Sequence, residues 1–189
     1  MKSYKKFTVK IPNNVKMIYN KKESLLLILG TANNRMLKLN FKVILIAGSD
    51  LLYVTSVKTQ FTNKAQEKKK KSLRKTLMAL IKQTVLDSSN RTSVKLKMIG
   101  VGYKIFKVNS VENLFQLKLG FSHSLFYRPP KGVEIRTSKY TLIYVLGHSD
   151  REVTQCASRL RSYKKPEPYK GKGILYRHEK IKLKQGKKI

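Results

Sequence analysis

Two segments of this chain share one outline, and that outline limits the fold more than any other feature. Ile11-Pro12-Asn13-Asn14-Val15 opens a stretch closing on Leu25-Leu26-Leu27-Ile28-Leu29-Gly30, and Pro129-Pro130-Lys131-Gly132-Val133 opens one closing on Leu142-Ile143-Tyr144-Val145-Leu146-Gly147. Pro12 to Gly30 is 18 residues and Pro130 to Gly147 is 17. Each stretch has the form of a strand, a turn and a second strand, and each is followed later by one amphipathic helix. Two similar α+β domains account for this better than one sheet, although hairpins in general share the outline. The division falls near Ser88–Asn90, giving domains 1–88 and 89–189.

The two helices follow from periodicity. From Lys64 to about Leu86, Leu73, Leu77, Leu80, Ile81 and Val85 recur at spacings of three and four and form one apolar stripe, with a basic opposite face. From Asp150 to about Tyr163 the stripe is Val153, Cys156, Ala157 and Leu160, preceded by Ser149 with Glu152 three residues on, the pattern of a capping box. The rest alternates with strand period, as in Val94–Met98, Phe115–Leu119 and Val133–Arg136, and is punctuated by Gly100, Gly102, Gly120, Pro129, Pro130 and Gly147. Antiparallel sheets are implied. The fold class is therefore α+β, each domain a small antiparallel sheet packed on one helix, with a basic C-terminal extension.

Charge decides the partner. Lys plus Arg number 42 against 10 Asp plus Glu, a net +32 that the chain has no internal means to neutralise. Such a body repels itself unless anions surround it, and nucleic acid is the first candidate. An acidic membrane is less apt, because no lipidation motif is present and the longest apolar runs, Leu25–Leu29 and Val43–Ala47, are only of strand length. The start, Met1-Lys2-Ser3-Tyr4-Lys5-Lys6, lacks the apolar stretch of a secretion signal and the Arg- and Ser-rich character of a transit peptide. A lone Cys156 excludes a disulfide framework and fits a reducing compartment.

Enzymatic constellations are missing. Gly100-Val101-Gly102 has no third Gly and no following helix, and Gly171-Lys172-Gly173 lacks the Lys-Ser/Thr ending of a phosphate-binding loop. His123, His148 and His178 are scattered, which leaves no metal-ligand spacing, and Cys156 on an apolar stripe reads as a small buried hydrophobe. The ten acids are not grouped for acid–base or metal work, and Glu112, Glu134, Asp150 and Glu152 suit turn, strand and cap positions. No cofactor, metal or small-molecule substrate is expected.

Two basic stretches are the candidate binding residues. Residues 164–189 hold ten Lys or Arg against Glu167 and Glu179. There Lys164, Lys165, Lys170, Lys172, Arg177, Lys180, Lys182 and Lys184 are interleaved with Tyr169, Tyr176, Gly171 and Gly173, a composition suited to an ordered loop rather than a disordered tail. Pro166 and Pro168 stop the preceding helix. The second stretch is Lys68, Lys69, Lys70 and Lys71 near the start of the first helix, where cations oppose the macrodipole and are easier to understand with phosphates against them; a plain solvated face is the alternative.

The C-terminal stretch also carries a family motif. Pro166-Glu167-Pro168-Tyr169-Lys170-Gly171-Lys172-Gly173-Ile174-Leu175-Tyr176 resembles the signature of the universal large-subunit ribosomal protein six family, with further matches in family order at Gly100-Val101-Gly102-Tyr103, Leu119-Gly120-Phe121-Ser122-His123, Pro130-Lys131-Gly132 and Lys184-Gln185-Gly186-Lys187. The second half matches closely and the first half loosely. The resemblance implies duplicated α+β domains, no catalytic activity, and binding to large-subunit rRNA near the sarcin–ricin loop, chiefly through the second domain. Neighbouring large-subunit proteins and transient proximity to translational GTPases follow from that placement. Leu175 stands where the family usually has Arg, Phe121 where it has Tyr and Ser124 where it has Pro; the first change removes one cation from the loop. Of the 42 cations 33 are Lys, a bias that suits an AT-rich genome and points to a mitochondrial ribosome, with a bacterial cytoplasm or plastid as alternatives.

Overall fold

The computed structural model describes residues 8–20, 22–39, 43–47, 51–56, 64–109 and 111–186, so the opening Met1–Lys6 and the final residues of the basic segment, with Lys187 of the last family match, lie outside the described residues. The chain divides into two compact units, Met1–Asn90 and Arg91–Ile189.

In the first unit β1 (Thr8–Lys10) precedes a proline turn, in which the Val15 amide donates to the Pro12 carbonyl at 3.0 Å. The hairpin β2 (Lys16–Asn20) and β3 (Leu25–Leu29) follows, then β4 (Asn34–Lys38), β5 (Val43–Ala47), β6 (Leu51–Ser56) and α1 (Lys64–Ser89). Two antiparallel sheets result, β2-β3-β4 and β1-β6-β5. On β3 the alternation buries Leu26 and Ile28, which meet Leu77, Ile81 and Val85 of α1, together with Val9, Leu52 and Val54. Each such aliphatic side chain removed from water contributes roughly 1.5–3 kcal/mol.

The buried stripe of α1 is narrower than the periodicity suggests. Leu77, Ile81 and Val85 follow i, i+4 spacing into the core, whereas Leu80 is 48% exposed and Leu73 only half-buried. The helix also runs past Leu86 to Ser89, because Ser88 and Ser89 donate their hydroxyls to the carbonyls of Val85 and Leu86 at 2.8 and 3.1 Å and so fit the last turn. That end is held by the loop after β3: the amides of Ala32 and Asn33 donate to the Ser88 carbonyl at 3.0 and 3.3 Å.

The second unit contains β7 (Thr92–Ile99), β8 (Lys104–Lys107), β9 (Phe115–Lys118), β10 (Leu125–Tyr127), β11 (Val133–Lys139), β12 (Leu142–Gly147), α2 (Asp150–Tyr163) and β13 (Gly173–Tyr176). It too has two antiparallel sheets, β11-β12-β7-β13 and β10-β9-β8. Leu96 and Met98 of β7, Ile143 and Val145 of β12 and Ile174 of β13 form one core with Val153, Cys156, Ala157 and Leu160 of α2 and with Ile105, Phe115, Leu117 and Tyr127 of the smaller sheet. Among the described residues, small antiparallel sheets with one helix per unit are thus the architecture, and the strands of each unit are shared between two sheets rather than collected in one.

The capping box at α2 is not formed. Ser149 is the N-cap but its side chain makes no capping hydrogen bond. Glu152 instead leans towards Gly132, where a Cβ would lie 3.6 Å from its Oε2. Asp150 and Glu152 still place negative charge in the first turn, where the helix dipole favours it.

Candidate nucleic-acid interface

The basic segment is folded onto the second unit. At the end of α2 the chain turns away at Lys164, and the Ile174 amide returns to donate to the Lys164 carbonyl at 2.9 Å. Between these points lies a tight loop, closed by Glu167 N to Lys172 O and Gly171 N to Glu167 O, each 3.0 Å. Two glycines make the loop possible. Gly171 has φ +68°, and at Gly173 a Cβ would sit 2.6 Å from the Pro166 Cα. β13 then pairs with β7, from Gly173 opposite Ile99 to Tyr176 opposite Leu96, and the Arg177 amide continues to the Lys95 carbonyl at 3.0 Å. Finally the Lys184 amide donates to the Pro168 carbonyl at 2.9 Å, bringing residues 180–184 back beside the loop.

Arg161 and Glu179 fasten this return. The guanidinium meets the carboxylate through two bonds, Nε to Oε2 at 3.1 Å and a second nitrogen to Oε1 at 2.5 Å, while the Tyr176 amide donates to Oε2 at 3.2 Å. The guanidinium also lies 5.7 Å from the Tyr176 ring centroid. The hydrogen bond from Arg161 holds the Glu179 carboxyl below the usual carboxylate range and raises the guanidinium in turn. One of the segment's two acids is thereby occupied internally, and the outward charge is left almost wholly positive.

Lys165, Tyr169, Lys170, Arg177, Lys180, Lys182 and Lys184 are exposed; Lys164, Lys172 and Tyr176 are half-buried; Gly171 and Gly173 are buried and serve the backbone. Lys68, Lys69 and Lys71 are exposed and Lys70 half-buried on α1 of the first unit, one turn beyond its start and following Glu67. Leu175 does not stand among the exposed cations: it is 6% exposed on β13, so at this position the chain adds apolar packing.

Residues outside both basic stretches join the surface. The Lys164 ammonium lies 4.3 Å from the centroid of the Phe121 ring, itself 42% exposed and stacked on His123 at 5.9 Å. The motif Leu119–His123 was visible in the sequence, but a contact across more than forty residues leaves no local pattern by which to assign it to this surface. The glycine of that motif and the Gly100–Tyr103 motif resolve into packing around one ring. A Cβ at Gly100 would lie 2.7 Å from the buried Tyr103 ring, and one at Gly120 would lie 3.1 Å away, so glycine at both positions makes room for it.

Chemistry beyond binding finds little footing. A cleft of about 270 Å³ is lined by Arg91, Glu134 and His148 among others, but no group of three or more His, Cys, Asp or Glu among the described residues could hold a metal ion. Cys156 is buried, its thiol pushed up by that burial, and it accepts a hydrogen bond from the Tyr127 hydroxyl at 3.1 Å.

Comparison with known proteins matches this same region. The profile of Ribosomal protein L6 matches residues 99–177. The large ribosomal subunit protein uL6 of Laribacter hongkongensis is 37% identical over 129 residues, covering 68% of this chain and 71% of that protein. That of Rhizobium rhizogenes is 40% identical over 132 residues, 70% of this chain and 71% of its own length. That of Buchnera aphidicola is 39% identical over 113 residues, 60% of this chain, and the match spans 62% of that protein. On these sequence matches, the chain belongs to the uL6 family of large-subunit ribosomal proteins.

Proposed function

We propose that the chain is a structural, non-enzymatic constituent of the large ribosomal subunit, anchored to large-subunit rRNA by the folded basic segment of its second unit. The observation that carries this reading is the ordered frame around residues 164–184, which holds exposed ammonium groups on a backbone closed by Lys184 N to Pro168 O and by the Arg161–Glu179 pair. Alternate Lys170 and Lys172 around Gly171 suit a phosphate ridge, where lysines act as point charges that position the protein and do not read bases. The anchoring site is the neighbourhood of the sarcin–ricin loop, with adjacent large-subunit proteins as further partners and translational GTPases as transient ones. Lys68, Lys69, Lys70 and Lys71 supply a second phosphate contact from the first unit.

No helix among the described residues is long and apolar enough to cross a membrane. The bacterial relatives favour a bacterial cytoplasm over the mitochondrial ribosome that the lysine-rich composition suggests. The test is twofold. The protein should sediment in stoichiometric amount with large subunits. In filter binding, Lys170→Ala with Lys172→Ala should weaken rRNA affinity and lower the log–log salt slope by about two units, since each phosphate contact contributes about 0.9. Unchanged affinity and slope would remove the loop from the interface.

A further inference from the structure

The smaller sheet of the second unit turns its inner face, Ile105, Phe115, Leu117 and Tyr127, to the core. Because side chains alternate along a strand, their neighbours must point outward. Register then arranges those neighbours in rows. Phe106 lies opposite Gln116, which lies opposite Phe126, so two rings and an amide run across all three strands; Lys104 lies opposite Lys118 in the next row. Tyr140, from the turn between β11 and β12, joins the edge, its ring centroid 5.2 Å from that of Phe106 and its backbone carbonyl accepting from the Ile105 amide at 2.9 Å.

Two features of this face are costly in the free protein. Phe126 is 56% exposed and Tyr140 61%, so much of their ring surface meets water. Lys104 and Lys118 are like charges directly opposite on adjacent strands, an arrangement that destabilises a sheet. Neither ammonium is paired with a carboxylate among the described residues; they lie over rings instead, Lys118 at 5.9 Å from Phe106 and Lys104 at 6.0 Å from Tyr140. A ligand that offers a flat π-face beside a negative charge relieves both costs at once. An RNA strand repeats that pair at every nucleotide.

We infer that the outward face of the β8–β9–β10 sheet binds unpaired nucleotides of RNA, with bases stacking on Phe126 and on the Phe106–Tyr140 edge and phosphates lying against Lys104 and Lys118. Phe106 and Phe126 are two strand spacings apart, about 10 Å, which leaves room for a base on each. Aromatic side chains on an open sheet are a recurrent device for holding single-stranded RNA. An acidic protein surface would answer the lysines but gives the rings no stacking partner in register with them. The surface uses none of the residues of the C-terminal segment, so it stands whether or not that segment is the anchor.

The chain has no Trp, so Phe126→Trp in the full-length protein introduces a lone reporter that keeps a stacking ring. Titration with short oligouridine should quench its emission and leave affinity close to that of the unaltered protein. Phe126→Ala with Tyr140→Ala should weaken oligouridine binding about tenfold or more with an unchanged salt slope, because stacking releases no counterions. Lys104→Ala with Lys118→Ala should instead lower the slope by about 1.4, at about 0.7 per phosphate on a single strand. Emission that stays constant at saturating oligouridine overturns the inference, as does a double alanine variant, folded by circular dichroism, that binds as tightly as the parent. Quenching by an acidic peptide such as oligoglutamate, but not by oligouridine, would assign the face to protein and overturn it equally.

Discussion

Glu179 lies in the most basic stretch of the chain, yet its carboxylate serves the fold, through Arg161 and the Tyr176 amide. Its folded-state pKa is depressed, chiefly by the Arg161 hydrogen bond, so its stabilising contribution is present at neutral pH and is lost as pH falls through that lowered value. The return of residues 177–184 to the loop should therefore survive down to the ordinary carboxylate range and loosen only below it. Glu179→Gln should loosen it already at neutral pH, seen as faster tryptic cleavage after Arg177 and Lys180 and faster amide exchange at Lys184. Equal cleavage rates for variant and parent at neutral pH would show that the pair does not hold the segment. Cys156 makes the opposite case: buried on the inner face of α2, it takes a hydrogen bond from Tyr127, whose own ionisation burial pushes upward. Cys156→Asp should cost about 3 kcal/mol or more in a thermal melt through an unpaired buried charge, whereas Tyr127→Phe should cost about 1 kcal/mol. The burial of Cys156 was legible because it sits on an apolar stripe of helical period. The Arg161–Glu179 pair was not, since two polar residues 18 apart that meet only after the chain reverses carry no periodicity.

At the scale of elements the two units share a block and differ in what surrounds it. In each, a three-residue edge strand, β1 or β10, leads into a proline turn, and the hairpin β2–β3 or β11–β12 follows. The turn bond is the same in both, Val15 N to Pro12 O at 3.0 Å and Val133 N to Pro130 O at 3.2 Å. The remaining strands come after the hairpin in the first unit, as β4, β5 and β6, whereas in the second β7, β8 and β9 come before it and only β13 after. This order explains why the repeat shows in sequence over only some twenty residues: the shared block is contiguous and its context is rearranged. The hairpins' closing glycines also face different neighbours. A Cβ at Gly147 would lie 2.6 Å from Val153 near the start of α2, and one at Gly30 would lie 2.2 Å from the Ser88 carbonyl oxygen at the end of α1. That oxygen accepts the amides of Ala32 and Asn33, so displacing it breaks two bonds. Gly30→Ala should accordingly lower stability by about 2 kcal/mol, measured by denaturant unfolding, while Gly186→Ala, which meets nothing within 4 Å, should be neutral. A neutral Gly30→Ala would mean that the loop and helix end shift together without loss. Such contacts are invisible in sequence, where Gly30 looks only like a strand terminator.

For the whole molecule, charge names the partner while the two cores determine what can be separated. The +32 charge implies a polyanion without locating it, and the profile match over residues 99–177 falls within the second unit. Each unit has its own core, with no residue common to the two clusters: one runs from Val9 to Val85 and the other from Leu96 to Ile174. The second unit also contains the whole described basic segment, fixed by bonds to its own Lys95, Arg161 and Lys164. Residues 91–189 expressed alone should therefore melt cooperatively and retain most of the specific rRNA affinity, with a log–log salt slope of about −5 if six phosphates are neutralised. Residues 1–90 alone should bind rRNA weakly and through Lys68–Lys71, so that Lys68→Ala with Lys69→Ala reduces what binding remains. Filter binding of both halves across a range of salt concentrations decides the matter. If the first half carried the specific affinity, or the second bound with a slope near zero, the RNA face would have to be sought elsewhere than on the frame that Arg161 and Glu179 close.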